Sequence, residues 1–364
     1  MNLDQQLDQA VHLHHAGRLD AAAALYRQVL ARQPGHVSAL NGLGMIEFQH
    51  QRFDAAITLL ERVVAVSGEH PGFLMNLGTV LDRADRVDQA ARCYERAIAA
   101  APRYPDPYYN LGALHLRRGE PQAAIEVFDR CMAAVGREFH ALACKAYALI
   151  DACRVEDGHY LLDHEQYVRF FEYAPPPGYH DLESFHHALA DHVRNHPTLR
   201  ANVMSTVNGR HTGELLQEPM GPMAAMATRI GQAVTWYRSR LPADSAHPVV
   251  EWAPPRWKLT SWGVVMTDGG HERPHIHPNG WISGVLYLEL PDLIDDADAG
   301  HQGWLRFGQP TPELPVRRPP RIRDYQPGFG RIILFPSYFY HGTVPFRSGE
   351  ERICISFDVE PVYR

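Results

Sequence analysis

Residues 262–290 read WGVVMTDGGHERPHIHPNGWISGVLYLEL. Two apolar runs, WGVVM and WISGVLYLEL, flank a stretch of Gly, Pro, Asp and Asn, the pattern of two strands joined by a long turn. His275 and His277 stand at the mouth of the second run. Residues i and i+2 of an extended chain point to one face, so the two imidazoles can converge on one ion. Three more apolar runs follow: GWLRF (303–307), RIILFPS (331–337) and RICISFDV (352–359). Turns such as QPGFG (326–330) and PFRSGEE (345–351) separate them. Five short strands with no helix between them predict an antiparallel sandwich or barrel. A parallel sheet would need crossover helices, and the spacings leave no room for them.

A metal needs a third ligand from elsewhere. His341, in FPSYFYHGTVPF (335–346) after the strand RIILFPS, is the candidate. Arg352 then begins the last strand. An arginine pointing into an apolar barrel demands an anionic partner, since an unpaired charge there is costly. That partner is either a fixed Asp or Glu or the carboxylate of a bound small molecule, held fork to fork. Neutral nitrogen ligands with open positions suit iron, zinc or manganese, and spacing does not choose among them. A lone HxH arises easily by chance; the strand-end histidine and the following arginine set this one apart.

Upstream of the strands, DLESFHHALADHVRNHP (181–197) places Leu182, Phe185, Leu189 and Val193 on one helical face. A second helix is expected at about 222–241, with Met226, Ile230, Val234, Tyr237 and Leu241 in register. The segment VNGRHTGELL (207–216) between them reads as irregular. Helices leading into strands predict an α+β arrangement, with the helices on one outer face. The three prolines at 175–177 mark a boundary. His186, His187, His192 and His196 are irregularly spaced on an amphipathic helix, the pattern of solvated or hydrogen-bonded residues rather than ligands.

The first half repeats itself. Gly44, Gly78 and Gly112 recur at 34 residues, as do Ala22, Ala56, Ala90 and Ala124 and the large residues Tyr26, Leu60, Tyr94 and Phe128. Each unit reads as a helix, a polar turn such as HHAGRLD (14–20), and a second helix such as DQAARCYERAIAAAP (88–102). This period resembles the tetratricopeptide repeat, about four units over 1–138, and implies an all-α solenoid with a concave groove. A protein or peptide substrate or partner in that groove is expected, with Asn76, Tyr108, Tyr109, Asn110, Arg117 and Arg118 as possible contributors; intramolecular scaffolding is the alternative. The run FHALACKAYALIDACR (139–154) is expected to cap the stack, and 139–177 to form cap and linker.

Composition excludes several classes. The chain has 364 residues, 45% apolar and 21% charged, which rules out wholesale disorder. A net charge of −7 without a basic block disfavours nucleic acid. No apolar stretch is long enough for a membrane helix, and residues 1–20 lack a secretory pattern. Five scattered cysteines argue against a disulfide framework and for a reducing cytoplasm. The loop DLIDDADAG (292–300) is either solvated or a rim that attracts a basic peptide. Oligomeric state is not legible.

From Trp262 to Val359 the pieces quoted above resemble the C-terminal part of a bacterial family of 2-oxoglutarate- and Fe(II)-dependent oxygenases, which often carries tetratricopeptide repeats ahead of the oxygenase. The likeness extends over almost all of the chain beyond residue 178, including YHDLESFHHALADHVRNHPTLR (179–200). It implies a double-stranded β-helix, or jelly roll, over 178–364, holding Fe(II) through His275, His277 and His341. Arg352 would bind the distal carboxylate of the cosubstrate 2-oxoglutarate. Ser283, Tyr287 and Ser356 are candidates to hydrogen-bond that cosubstrate, with ordinary strand packing as the alternative for each. The wider superfamily has a carboxylate where this chain has His277, so the site would be one negative charge short; Asn279 or Asp268 could assist if His277 turned away. The implied activity is a dioxygenase that hydroxylates a protein or peptide side chain and releases succinate and CO2. A small metabolite or natural-product substrate is an alternative, as are a catalytically inactive jelly-roll scaffold and a non-oxidative zinc or manganese enzyme.

Overall fold

The computed structural model describes residues 2–201, 205–218, 220–243, 246–295 and 300–362. The chain divides into two units, 1–136 and 137–364. Helices pair in the first: α1 (Leu3–His15) with α2 (Leu19–Arg32), α3 (Val37–Gln49) with α4 (Phe53–Ser67), α5 (Pro71–Arg83) with α6 (Val87–Ala100), and α7 (Asp106–Arg118) with α8 (Pro121–Val135). The 34-residue period has a steric cause. A Cβ added at Gly112 would meet the Phe128 ring at 2.3 Å, one at Gly78 the Tyr94 ring at 2.6 Å, and one at Gly44 the Leu60 side chain at 3.1 Å. In these three pairs the glycine of the first helix is thus a notch, and the large residue of the second helix fills it.

Several residues expected to line the groove are engaged within this unit. Tyr108 is buried rather than exposed, and its hydroxyl donates to the Pro102 carbonyl at 3.0 Å. Asn76 donates to Asn41 Oδ1, Arg117 pairs with Asp82, and Arg118 with Asp88 and Glu120.

The second unit opens with α9 (Phe139–Asp151), α10 (Val155–Leu161) and α11 (His164–Tyr167). The run expected to cap the repeats is α9, and it packs inside this unit: Phe139 lies against Trp252 and Tyr338, and Tyr147 against Tyr340. Strand β1 (Arg169–Glu172) follows in what was expected to be linker. Then come α12 (Leu182–Arg194), β2 (Arg200–Ala201), β3 (Thr206–His211), α13 (Met223–Ser239) and α14 (Pro248–Glu251). The remaining strands are β4 (Trp257–Glu272), β5 (Ile282–Glu289), β6 (Leu305–Phe307), β7 (Arg323–Tyr325), β8 (Arg331–Pro336), β9 (His341–Thr343) and β10 (Arg352–Pro361).

Seven strands form a sheet in the order β1-β8-β5-β10-β4-β3-β2, and three form a second, β7-β6-β9. Every pairing among these strands is antiparallel, both where the connection carries no helix, as was expected from β4 onward, and between β3 and β4, which α13 and α14 separate in the chain. The stretch VNGRHTGELL is not wholly irregular: its first residues belong to β3, which pairs with β4 across a register shift. Asn208 and Gly209 are poor strand formers, and β3 exists because β4 offers it an edge. Both α12 and α13 lie against the seven-stranded sheet, α12 on β4 and β5 and α13 on β1 and β8. Gly263 of β4 admits α12 so closely that an added Cβ would meet Val193 at 2.5 Å.

One strand sorts the two faces of this sheet. Ile353, Ile355, Phe357 and Val359 of β10 are fully buried, and Ile355 pairs with Gly263 on the α12 side. Arg352, Cys354, Ser356, Asp358 and Glu360 alternate with them and line a cavity of about 470 Å³. Of the acidic loop, Asp292 and Asp295 lie on a short 3-10 turn, and residues 296–299 fall outside the described residues. Among the described residues no helix is long and apolar enough to cross a membrane.

The core also contains a titratable oddity. His164 is buried beside Phe307 and Phe339, and neither of its ring nitrogens has a hydrogen-bond partner. Burial, reinforced by Arg323, Arg321 and His159, pushes it down to about 3. The folded state therefore keeps the ring neutral, while the unfolded chain takes up a proton below about pH 6.5. Stability should fall as pH drops from about 6.5 toward 3, by up to about 1.4 kcal/mol per pH unit from this group. His164→Phe removes that proton uptake, so its Tm should decline less than that of the unsubstituted protein between about pH 6.5 and 4.5. Parallel Tm curves would sink the prediction.

Candidate metal centre

The loop between β4 and β5 carries His275 and His277, and β9 carries His341. Backbone hydrogen bonds bring them together. His275 and His341 bridge reciprocally, N to O at 2.9 Å and 3.0 Å, and the His277 N–H donates to the Ser337 carbonyl at 2.9 Å. A ligand-capable atom from each of the three rings lies within 4.8 Å of the others. His275 Nε2 and His277 Nε2 are 3.1 Å apart.

Each ring is fixed from behind through Nδ1. His275 Nδ1 meets the Arg273 carbonyl at 2.8 Å, and His341 Nδ1 the Phe339 carbonyl at 2.9 Å. His277 Nδ1 meets Asp358 Oδ1 at 2.6 Å. A carbonyl or carboxylate accepts only from an N–H, so all three rings carry their proton on Nδ1 and present the Nε2 lone pair to the shared space. Burial lowers the proton affinity of His275 and of His341, and repulsion within the triad adds to it. Neutral nitrogen donors in this number suit a divalent transition metal. His277 does not turn away, and Asp268 instead accepts from Arg347 and the Ser348 N–H. Asn279 lines the cavity.

Arg352, the first residue of β10, faces the same cavity and is 1% exposed. Its guanidinium lies 4.8 Å from the Tyr287 ring centroid, with Met266 and Cys354 sulfurs 3.6 and 3.8 Å from Nη1. Nε has no partner, and among the described residues no acid forms an ion pair with this arginine. A buried cation is normally paired. Here two soft sulfurs and a ring face stand where a carboxylate would.

The other expected residues separate. Tyr287 and Ser356 line the cavity. Ser283 is fully buried and its hydroxyl is engaged behind His277, 2.6 Å from Asp358 Oδ1 and 2.8 Å from Ser337 Oγ. Beside the site, Trp281 and Phe339, which the sequence leaves open as walls of the cavity mouth or as core, are buried in the core, and the Trp281 indole donates to the Val249 carbonyl. Two groups went unnoticed in the sequence. Asp358 shares the parity of Arg352 on β10, which was the available signal. Glu272, three residues before His275, also lines the cavity and accepts from Thr206 and contacts His211. Burial pushes its carboxyl up, but those hydrogen bonds and the nearby imidazoles outweigh it and hold Glu272 at about 2.

Two parts of the chain match known families. Residues 260–358 match the family model described as "Putative 2OG-Fe(II) oxygenase". All seven residues anticipated for the site fall inside that oxygenase-family span, and Asp358 is its last residue. Residues 7–72 and 75–134 match the tetratricopeptide-repeat model. No curated protein matches the chain. Solved structures similar to it include MamA, at 23% identity over 45% of this chain and 92% of that one with a TM-score of 0.41. They also include YrrB, titled a TPR protein with an unusual peptide-binding site (18%, 43% and 81%, 0.38). A third is a thermophilic TPR protein of Thermus thermophilus (22%, 45% and 91%, 0.35).

Proposed function

We propose that the second unit is a 2-oxoglutarate- and O2-dependent Fe(II) oxygenase, its two sheets forming a double-stranded β-helix around the cavity. The observation that carries this reading is a buried, carboxylate-free Arg352 opening on the same cavity as three histidines whose Nδ1 atoms are all tied off. His275, His277 and His341 would hold the iron through Nε2. The guanidinium of Arg352 would take the distal carboxylate of 2-oxoglutarate as a planar fork, with the Tyr287 ring beneath it fixing the plane. Ser356, on the same strand face as Arg352, supplies a hydroxyl along the way. Bound Fe(II) and cosubstrate supply the oxidising chemistry, releasing succinate and CO2 and hydroxylating a substrate C–H bond. The protein's part is to orient the cosubstrate, keep the imidazoles of His275 and His341 neutral by burial, and limit water around the reacting centre with Trp262, Val264, Leu305 and Phe335.

The substrate class we favour is a protein or peptide side chain, supported by the tetratricopeptide-repeat match over 7–134. A reducing, cytoplasmic setting suits both Fe(II) and five free cysteines. The test is anaerobic addition of Fe(II) and then 2-oxoglutarate to the metal-free full chain, followed by visible absorption. A weak charge-transfer band that needs both components is expected. Metal binding without 2-oxoglutarate binding would overturn the oxygenase in favour of a non-oxidative metal enzyme, and binding of neither would favour a scaffold.

A further inference from the structure

Three neutral imidazoles bring no charge to a divalent cation, so the nearest fixed anions decide how well the site holds one. Among the described residues, Asp358 is the carboxylate hydrogen-bonded to a ring of the triad, at 2.6 Å from His277 Nδ1. It is itself held. Ser283 Oγ lies 2.6 Å from the same carboxylate oxygen and 3.1 Å from His277 Nδ1, and Ser337 Oγ lies 2.8 Å from Ser283 Oγ. Both serines are fully buried. The backbone reinforces the arrangement, because the His277 N–H donates to the Ser337 carbonyl and the Trp281 N–H to the Val359 carbonyl. Gly280 leaves the space this needs: an added Cβ would meet Ser337 Oγ at 2.4 Å. His277 and Ser283 thus meet one oxygen of the Asp358 carboxylate, and Ser337 supports Ser283 from behind.

We propose that Asp358, oriented by Ser283 and Ser337, is the positioning residue of the metal centre. It fixes the tautomer and plane of His277, and it supplies, one hydrogen bond behind that ligand, negative charge that the three imidazoles lack; Glu272 on the cavity wall is a second carboxylate but is not bonded to a ring of the triad. A carboxylate accepting the Nδ1 proton makes Nε2 a stronger donor to the ion, and loss of such a partner commonly weakens metal affinity about 10–100-fold. The carbonyls behind His275 and His341 orient their rings but bring no net charge. Asp358 therefore distinguishes His277 from its two neighbours. The inference rests on the three-histidine reading of the centre.

The test uses the full chain and Co(II), whose visible spectrum reports ligand number and strength, with affinity measured by chelator competition. Asp358→Asn keeps the volume and an acceptor oxygen while removing the charge. It is expected to bind Co(II) about 10–100-fold more weakly, with a shifted visible band and an unchanged near-ultraviolet circular dichroism spectrum in the metal-free state. Ser283→Ala leaves Asp358 in place but frees it from one hydrogen bond, and a smaller loss is expected. Equal affinity and an equal spectrum for Asp358→Asn would overturn the role of the charge. Should that variant not fold, unchanged Co(II) affinity in Ser283→Ala would overturn the positioning network. Failure of the unsubstituted protein to bind Co(II) would instead bring down the metal centre itself, and the proposal with it.

Discussion

Arg352→Met is expected to abolish 2-oxoglutarate binding and at the same time to stabilise the ligand-free protein. The arginine is buried with no acid paired to it among the described residues, so the empty fold carries a desolvated charge. A methionine fills much the same volume among Met266, Cys354 and the Tyr287 ring without that cost, and comparable replacements of buried charges gain about 1–4 kcal/mol. Binding moves the other way. A fork-to-fork guanidinium–carboxylate pair in a dry cavity is worth about 3–5 kcal/mol when one partner is removed, which corresponds to about 10²–10⁴ in Kd. Thermal denaturation reads both effects. Without ligand the variant should melt above the unsubstituted protein. With metal and 2-oxoglutarate at about 100 Kd, only the unsubstituted protein should gain the further ~2.7 kcal/mol that ligand linkage provides. A variant that is destabilised without ligand, or that still responds to 2-oxoglutarate, would contradict the assignment of this residue.

The second large effect is His341→Ala. The two backbone hydrogen bonds that tie β9 to His275 do not involve the ring, so the strand should stay in place. What is lost is the one proposed ligand that the three-stranded sheet contributes, packed between Phe307 and Phe335. Structural zinc sites with four ligands bind with about 10–16 kcal/mol, roughly a quarter of it per ligand, so metal affinity should drop by at least about 10²–10³-fold. Anaerobic equilibrium dialysis with Fe(II) measures this directly. Retained affinity would mean that the ion sits elsewhere.

The parts of this site that a sequence can reveal are those governed by local rules. Strand alternation places His275 with His277, and a strand start places Arg352 facing inward; both follow from period two. Asp358 obeys the same alternation, two positions beyond Ser356, but nothing local says that its carboxylate meets a ring 81 residues earlier. Ser283 shows the opposite difficulty. Its position beside the candidate ligands suggested a contact to cosubstrate, yet its hydroxyl lies behind His277 because the chain turns at Pro278 to Gly280. Strands β1 and β3 were invisible for a related reason. β1 is four residues long and pairs with β8, from Arg169 to Leu334, while Asn208 and Gly209 hide β3. Long-range pairing can make a strand out of residues whose own preferences say otherwise.

The notch-and-filler contacts of the helical unit have a consequence for how such a chain changes over generations. Gly44 with Leu60, Gly78 with Tyr94, and Gly112 with Phe128 each lie within one 34-residue module, so each module carries both halves of its own joint. Copying or deleting a whole module brings along a matched pair and leaves no orphaned hollow or stray ring. Tyr26 is the exception: an added Cβ at Gly42, in the next module, would meet its ring at 2.5 Å. At that first boundary recombination would break a steric fit, whereas at the later ones it would have to preserve ion pairs such as Arg86 with Asp54 and Arg117 with Asp82.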